Sequence, residues 1–359
     1  MITPTDFTPG PSQLYFTVEG HARSAFREGI PSISHRSKKF QDIYQQTTTG
    51  LKNLLNIPDN FSISFCSSAT EIWERSIQNL VAENCLHLVN GAFSKKFYET
   101  AIQLRKKAIQ IEVASGQGFD ELKESGQHEL IAITQNETST GVSLPLEFIH
   151  NIKTKNPEAL IVVDAVSSMP YPTFDYSKID SIFFSVQKGF GMPAGLGVWI
   201  YNERCLQKSR ELQAKGISTG SYHNLLSLHE FTLKNQTPET PNVFAIYLLN
   251  KVVTDLLHRG INTLRKETEY KAAILYQALD QHPLIKPFVH QVNYRSQTVI
   301  VADCGSHIQT IREKLNARGL NPGEGYGEFK KTQLRFANFP AHSKEQYELL
   351  VDVLMSLHP

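Results

Sequence analysis

The chain has 359 residues, 40% of them hydrophobic and 20% charged, and 36 Lys+Arg against 35 Asp+Glu leave a net charge of +1. That length supports two domains and excludes a mini-protein stapled by disulfides or metal, and the composition excludes a disordered chain. A near-neutral balance gives no general field to steer the protein onto nucleic acid or an anionic membrane, so an anionic ligand must be held by a local site.

The opening Met1-Ile2-Thr3-Pro4-Thr5-Asp6 has neither the charged start nor the apolar core of a secretory signal, and cytoplasm is the expected compartment. Phe7-Thr8-Pro9-Gly10-Pro11-Ser12 is too rich in Pro and Gly for regular structure. From about 40 to 200, short apolar runs alternate with amphipathic stretches. Strands are predicted at 61–65, 87–89, 108–113, 130–134, 160–164, 181–185 and 196–200, with helices over 71–83 and 146–155. Such alternation implies an α/β fold with a mostly parallel sheet covered by helices on both faces, and ligands of such sheets bind beyond the carboxyl ends of the strands. The stretch 238–282 reads as helical. The remainder carries weaker strands (297–302, 333–337) and helices (308–318, 344–357), the pattern of a smaller C-terminal α+β domain. The expected division is an N-terminal segment 1–15 joining the small domain, a large domain 16–250 and a small domain 251–359. No window approaches 18 uninterrupted apolar residues, so no membrane span is expected.

Cys66, Cys85, Cys205 and Cys304 lie far apart without a CxxC pair. That spacing argues against a structural zinc site and a disulfide framework, and a buried free thiol is expected at Cys66 and Cys304, which sit in apolar runs.

Three features carry chemistry. Ser185-Val186-Gln187-Lys188-Gly189-Phe190-Gly191 follows an apolar strand, and a lysine beside apolar residues can have its pKa depressed into the range of a carbonyl nucleophile. The glycines are expected to let a ligand approach the backbone closely. Asp164 ends another apolar strand, where a carboxylate can hold a protonated pyridine nitrogen or cap a helix. Ser67-Ser68-Ala69-Thr70-Glu71 joins a strand to an amphipathic helix, a pattern that fits both a phosphate cradle and an ordinary N-cap.

Ser68-Ala69-Thr70-Glu71, Asn136-Glu137-Thr138, Asp164-Ala165-Val166-Ser167-Ser168 and Gln187-Lys188-Gly189 together resemble a fold-type I, class V aminotransferase. Phe7-Thr8-Pro9-Gly10-Pro11, Ile33-Ser34-His35-Arg36, Thr237-Pro238-Glu239-Thr240-Pro241 and Leu334-Arg335-Phe336 extend the match, most closely to the phosphoserine aminotransferases. The resemblance covers nearly the whole chain. It implies pyridoxal 5'-phosphate as cofactor, with Lys188 as its covalent attachment point and proton carrier and Asp164 paired with its pyridine nitrogen. It also implies Phe93 stacked on the ring, Thr138 bonded to the phenolic oxygen, and Ala69, Thr70 and Gln187 on the phosphate. Thr240 would reach that phosphate from a partner subunit, which implies a homodimer with shared active sites. Arg335 would grip the substrate α-carboxylate and His35-Arg36 a distal phosphate.

Two departures bear on the substrate. Gly327-Glu328-Phe329 stands where phosphoserine enzymes carry a second His-Arg pair, with Lys330 and Lys331 close by, and Glu239 replaces the usual asparagine before Thr240 and is expected to point away from the phosphate. The leading expectation is transfer of an amino group from glutamate to 3-phosphohydroxypyruvate. The alternatives are an alanine/serine–glyoxylate type enzyme, a cysteine desulfurase-like lyase using Cys304, and a non-catalytic binding protein.

Overall fold

A computed structural model describes residues 4–122 and 126–357 of the chain. Strand β1 (Thr5–Phe7) precedes helices α1 (Val18–Arg27) and α2 (Lys38–Leu55), then β2 (Phe61–Cys66), α3 (Ala69–Leu80), β3 (Asn84–Val89), α4 (Ala92–Gln103) and β4 (Lys107–Glu112). Next come β5 (Leu130–Thr134), a small ribbon of β6 (Asn136–Glu137) and β7 (Val142–Ser143), α5 (Leu146–Lys155), β8 (Leu160–Asp164), β9 (Ser181–Ser185) and β10 (Gly197–Asn202). Helices α6 (Glu203–Ala214), α7 (Leu225–Thr232), α8 (Val243–Arg259) and α9 (Ile261–Gln281) follow. The chain closes with β11 (Lys286–Pro287), β12 (Val299–Asp303), α10 (Ile308–Ala317), β13 (Leu320–Glu324), β14 (Gln333–Ala337) and α11 (Lys344–Met355).

The seven-stranded sheet has the order β2-β10-β9-β8-β5-β3-β4, and β10 alone runs against its neighbours. Side chains alternate across a strand, and here both faces are dry. Ile131, Ile133, Ile161 and Val163 pack with residues of α2 and α8 on one face, while Leu130, Ala132, Leu160 and Val162 pack with α3, α4, α6 and α7 on the other. Each such side chain contributes roughly 1.5–3 kcal/mol on burial, which explains why these strands read as uninterrupted apolar runs.

A second sheet, of order β1-β13-β14-β12-β11, buries Phe7 together with Leu275, Ile311, Leu350 and Leu354 from α9, α10 and α11. The N-terminal segment is therefore partly regular: Thr5–Phe7 pairs in parallel with Leu320–Pro322. Three residues are too few for a periodic signal, and their partner strand lies at the other end of the chain. The helical stretch 238–282 is two helices, broken at Gly260, whose φ of 84° is left-handed. Helix α8 packs against α2, and α9 against α11. Among the described residues, no helix is long and apolar enough to cross a membrane.

Candidate active site

Because β2, β5, β8 and β9 run the same way, their carboxyl ends lie at one rim of the sheet, and the reversed β10 brings its first residue, Gly197, there too. A cavity of about 200 Å³ opens at this rim, lined by residues that include Lys188, Asp164, Thr138, Phe93 and Arg335.

Lys188, in the turn after β9, is 6% exposed. Its Nζ donates to Thr138 Oγ1 at 2.8 Å and lies 5.3 Å from the centroid of the Phe93 ring. Burial pushes the amine down to about 8, against the opposing pull of the Asp164 and Glu137 carboxylates. The backbone around it is tight. A Cβ on Gly10, at φ +151°, would come within 2.7 Å of Lys188 Cε. The expected ligand approach at the two following glycines is not what the structure shows: protein backbone fills those positions. A Cβ on Gly189 would stand 1.9 Å from the Met169 carbonyl oxygen, and one on Gly191 would stand 2.6 Å from the Tyr15 nitrogen.

Asp164, the last residue of β8, caps no helix. Its Oδ1 accepts the Val166 N–H at 2.9 Å and its Oδ2 accepts the Trp73 indole N–H at 2.8 Å. Burial raises the carboxyl to about 6, and these two donors and the Lys188 ammonium hold it from going higher.

Asn136-Glu137-Thr138 is a scaffold as well as a contact. Asn136 Nδ2 donates to Ser167 Oγ at 2.8 Å. The buried Glu137 carboxylate accepts from the backbone N–H groups of Phe93 and Ser94 in the first turn of α4, and from Ser139 N–H. A carboxylate at a helix start is favoured by the unpaired N–H groups and the dipole there, and this one fixes where Phe93 stands. Arg335 reaches in from β14 of the second sheet. Its Nε donates to Glu324 O at 2.6 Å and an Nη donates to Thr138 O at 3.1 Å, which sets the plane of the guanidinium at the cavity. Burial lowers it to about 10, so it stays charged near neutral pH.

Ser68 is the N-cap of α3, its Oγ accepting from Glu71 N–H at 3.1 Å, so the capping reading of this segment holds, and Ser68, Ala69 and Thr70 also line the cavity. The Ala69 N–H is taken by Ser185 Oγ at 2.8 Å. Two lining residues, Gln187 and Thr134, have buried side-chain oxygens without a hydrogen-bond partner.

His35, Arg36 and Thr240 do not line this cavity; they gather elsewhere. Arg36 donates to Gln236 Oε1 at 2.7 Å, Thr237 O at 2.9 Å and Pro238 O at 3.3 Å, just before Glu239-Thr240. His35 is lowered by burial and by Arg36, with Glu239 opposing. Glu239 has Oε2 2.8 Å from His223 Nε2. Lys330 and Lys331 are exposed at the end of a 3-10 turn and lie outside the cavity lining. All four cysteines, Cys304 included, are buried free thiols.

The sequence reading misses Trp73 and Tyr326. Trp73 sits on the apolar face of α3 and reads as core. Tyr326, the aromatic between Gly325 and Gly327, lines the cavity with its ring centroid 5.2 Å from that of Phe93 and accepts from Lys96 Nζ at 2.7 Å.

The aminotransferase class-V family model matches residues 12–322. A crystal structure of a phosphoserine aminotransferase from Cytophaga hutchinsonii is 49% identical, covers 99% of each chain and superposes with a TM-score of 0.96. The phosphoserine aminotransferase of a Nocardioides species is 27% identical over 351 residues, spanning 96% of this chain and 92% of its own. The alanine–glyoxylate aminotransferase of a Nostoc species, at 20% identity with a TM-score of 0.85 over 99% of this chain and 96% of its own, shares the fold. The chain belongs to the class-V aminotransferase family; it is a fold-type I, pyridoxal-phosphate-dependent aminotransferase. The residues present fit that cofactor. The helix start at Ser68-Ala69-Thr70 marks a polar end to the cavity, a hydrogen-bonded carboxylate and a buried lysine both line it, and an aromatic ring forms one wall.

Proposed function

We propose that the chain transfers an amino group between glutamate and 3-phosphohydroxypyruvate, forming O-phosphoserine and 2-oxoglutarate in serine biosynthesis, as a cytoplasmic homodimer with shared active sites. The observation that carries this reading is Arg335 beside Lys188 in one cavity, within a chain 49% identical over its length to a phosphoserine aminotransferase.

When bound, pyridoxal phosphate supplies a carbonyl for the amino group and an electron sink next to the substrate Cα. The chain supplies the rest. Asp164, fixed by Trp73 and Val166, would hold a proton on the pyridine nitrogen. Phe93 would stack on the ring, Thr138 would donate to the phenolic oxygen, and Thr70 and Gln187 would hold the phosphate together with Ala69, whose N–H would be shared with Ser185 Oγ. The Lys188 amine would carry a proton between the substrate Cα and the cofactor carbon bonded to the same nitrogen; burial that brings an amine to about 8 suits it to accept and release that proton near neutral pH. Arg335 offers a planar pair of donors to the α-carboxylate.

Thr240, His35 and Arg36 lie together but away from their own chain's Lys188, and this supports their acting in the cavity of a second copy. The division into a large domain and a small domain belongs to the same reading, supported by separate hydrophobic cores around the two sheets. Glu328 in place of a cation, and the exposed Lys330 and Lys331, favour a second reading, an aminotransferase for unphosphorylated keto acids of the alanine/serine–glyoxylate type. Assay of the purified protein with glutamate against phosphorylated and plain keto acids separates them: the proposed reading requires the highest kcat/KM for 3-phosphohydroxypyruvate, and a preference for glyoxylate or pyruvate would overturn it.

A further inference from the structure

The end of β2, the first turn of α3 and the loop before α7 meet at a second cavity, of about 390 Å³, that shares no lining residue with the cavity of Lys188. Cys66, Glu71 and His223 each turn one donor atom toward the others there, and all three atoms lie within 4.8 Å of one another. Cys66 and His223 are buried and Glu71 is half-buried. His223 Nδ1 contacts Glu71 Oε1, and its Nε2 stands 2.8 Å from Glu239 Oε2; neither of those last two atoms has another hydrogen-bond partner.

We propose that Cys66 Sγ, Glu71 Oε1 and His223 Nδ1 bind one divalent zinc-class ion, with Glu239 as the outer carboxylate that orients the His223 ring. Thiolate, imidazole and carboxylate are the donor set of zinc, and three protein ligands beside a cavity leave the fourth tetrahedral position to water. Bonds of about 2.0–2.3 Å put tetrahedral ligand atoms roughly 3.3–3.7 Å apart, so a small adjustment of these side chains suffices. A metal-bound histidine commonly passes its second N–H to a carboxylate, the relation Glu239 has to His223.

The charges also balance. A thiolate and the Glu71 carboxylate neutralise a divalent ion, and the Arg75 guanidinium, whose Nε is 3.7 Å from Glu71, adds a positive charge beside them. Without a metal the same groups form an ion triad, His223 standing between the Glu71 and Glu239 carboxylates. That triad accounts for the histidine and the carboxylates but gives the Cys66 sulfur no part; a metal does, and would displace the thiol proton. The bound ion would clamp the start of α3 to the loop bearing His223 and to the Glu239-Thr240 segment. The proposal does not rest on the identity of the amino acceptor.

The test is zinc uptake by the cofactor-loaded protein, measured by metal analysis after equilibrium dialysis, with X-ray absorption at the zinc edge. The expected result is about one zinc per chain with a single sulfur neighbour at about 2.3 Å. Cys66→Ala and His223→Gln should abolish stoichiometric uptake, Glu239→Gln should weaken affinity about 10–100-fold, and Cys304→Ser should change nothing. Uptake well below one per chain, a zinc shell without sulfur, or uptake unaltered by His223→Gln overturns the proposal. Circular dichroism establishes folding; if Cys66→Ala does not fold, the His223→Gln and Glu239→Gln proteins decide the matter.

Discussion

Trp73 and Asp164, 91 positions apart in the chain, are joined by a 2.8 Å hydrogen bond from the indole Nε1 to the carboxylate Oδ2. With the Val166 N–H on the other oxygen, this bond fixes the plane of the carboxylate at the end of β8. Trp73 acts on the ligand through Asp164, so it is a positioning residue. A donor to a charged acceptor contributes about 1.5–3 kcal/mol. Trp73→Phe, which keeps most of the packing, should therefore weaken cofactor retention about 10–100-fold, as read by equilibrium dialysis of pyridoxal phosphate. Unchanged retention would mean that the indole serves packing alone.

Lys188→Ala should abolish both turnover and the visible absorbance that a covalently attached cofactor gives the protein. Full absorbance in that variant would show that another amine is the attachment point.

The buried Lys188 amine, brought to about 8, makes attachment pH-dependent. Only the neutral amine forms the bond, so the attachment rate in the cofactor-free chain should rise about tenfold per pH unit below 8 and level off above it. Stopped-flow absorbance would measure this, and a flat profile between pH 6 and 9 would contradict it. The same shifts act on stability with opposite signs. Lys188 titrates lower in the folded chain than its ordinary 10.5, so its contribution rises with pH between about 8 and 10.5. Asp164 titrates at about 6 against an ordinary 3.8, so its contribution is lost as pH climbs through that window.

Arg335→Ala should lower kcat/KM for phosphorylated and plain keto acids alike, because both carry the α-carboxylate. Arg36→Ala should weaken use of 3-phosphohydroxypyruvate by about 10–100-fold, the value of a charge-assisted contact of roughly 1.5–3 kcal/mol, and barely alter a plain keto acid. Equal losses with both substrates would assign Arg36 to holding the 236–238 carbonyls that it already contacts.

Gly189→Ala places a methyl 1.9 Å from a carbonyl oxygen in a buried turn. Backbone must move to admit it, so destabilisation of at least about 1–3 kcal/mol is expected in denaturant unfolding, with poor cofactor retention because Lys188 is the preceding residue. Native stability would show that the turn has room to relax.

Lys188 and Asp164 were legible in the sequence for one physical reason. A parallel strand buried on both faces is a continuous apolar run, and a polar residue that ends it, as Asp164 does, or follows in the next turn, as Lys188 does, stands at the rim where ligands bind. Ser68 was legible in the same way, since small polar residues between a strand and an amphipathic helix satisfy orphan N–H groups whether or not an anion is present. The tertiary structure alone decided what these residues meet. Trp73 carries the periodicity of a core face, and nothing local to α3 points it at Asp164. Tyr326 has no periodic context, and it joins Phe93 only because the second sheet packs over the rim. The spacing of the cysteines argued against a structural zinc site, yet Cys66 lies beside a glutamate five positions on and a histidine from the loop before α7. Pattern along a chain records which face of an element is buried; distances between elements come from how helices and sheets pack on one another, and that packing set the cavity and placed Arg36 and Thr240 outside the lining of the Lys188 cavity.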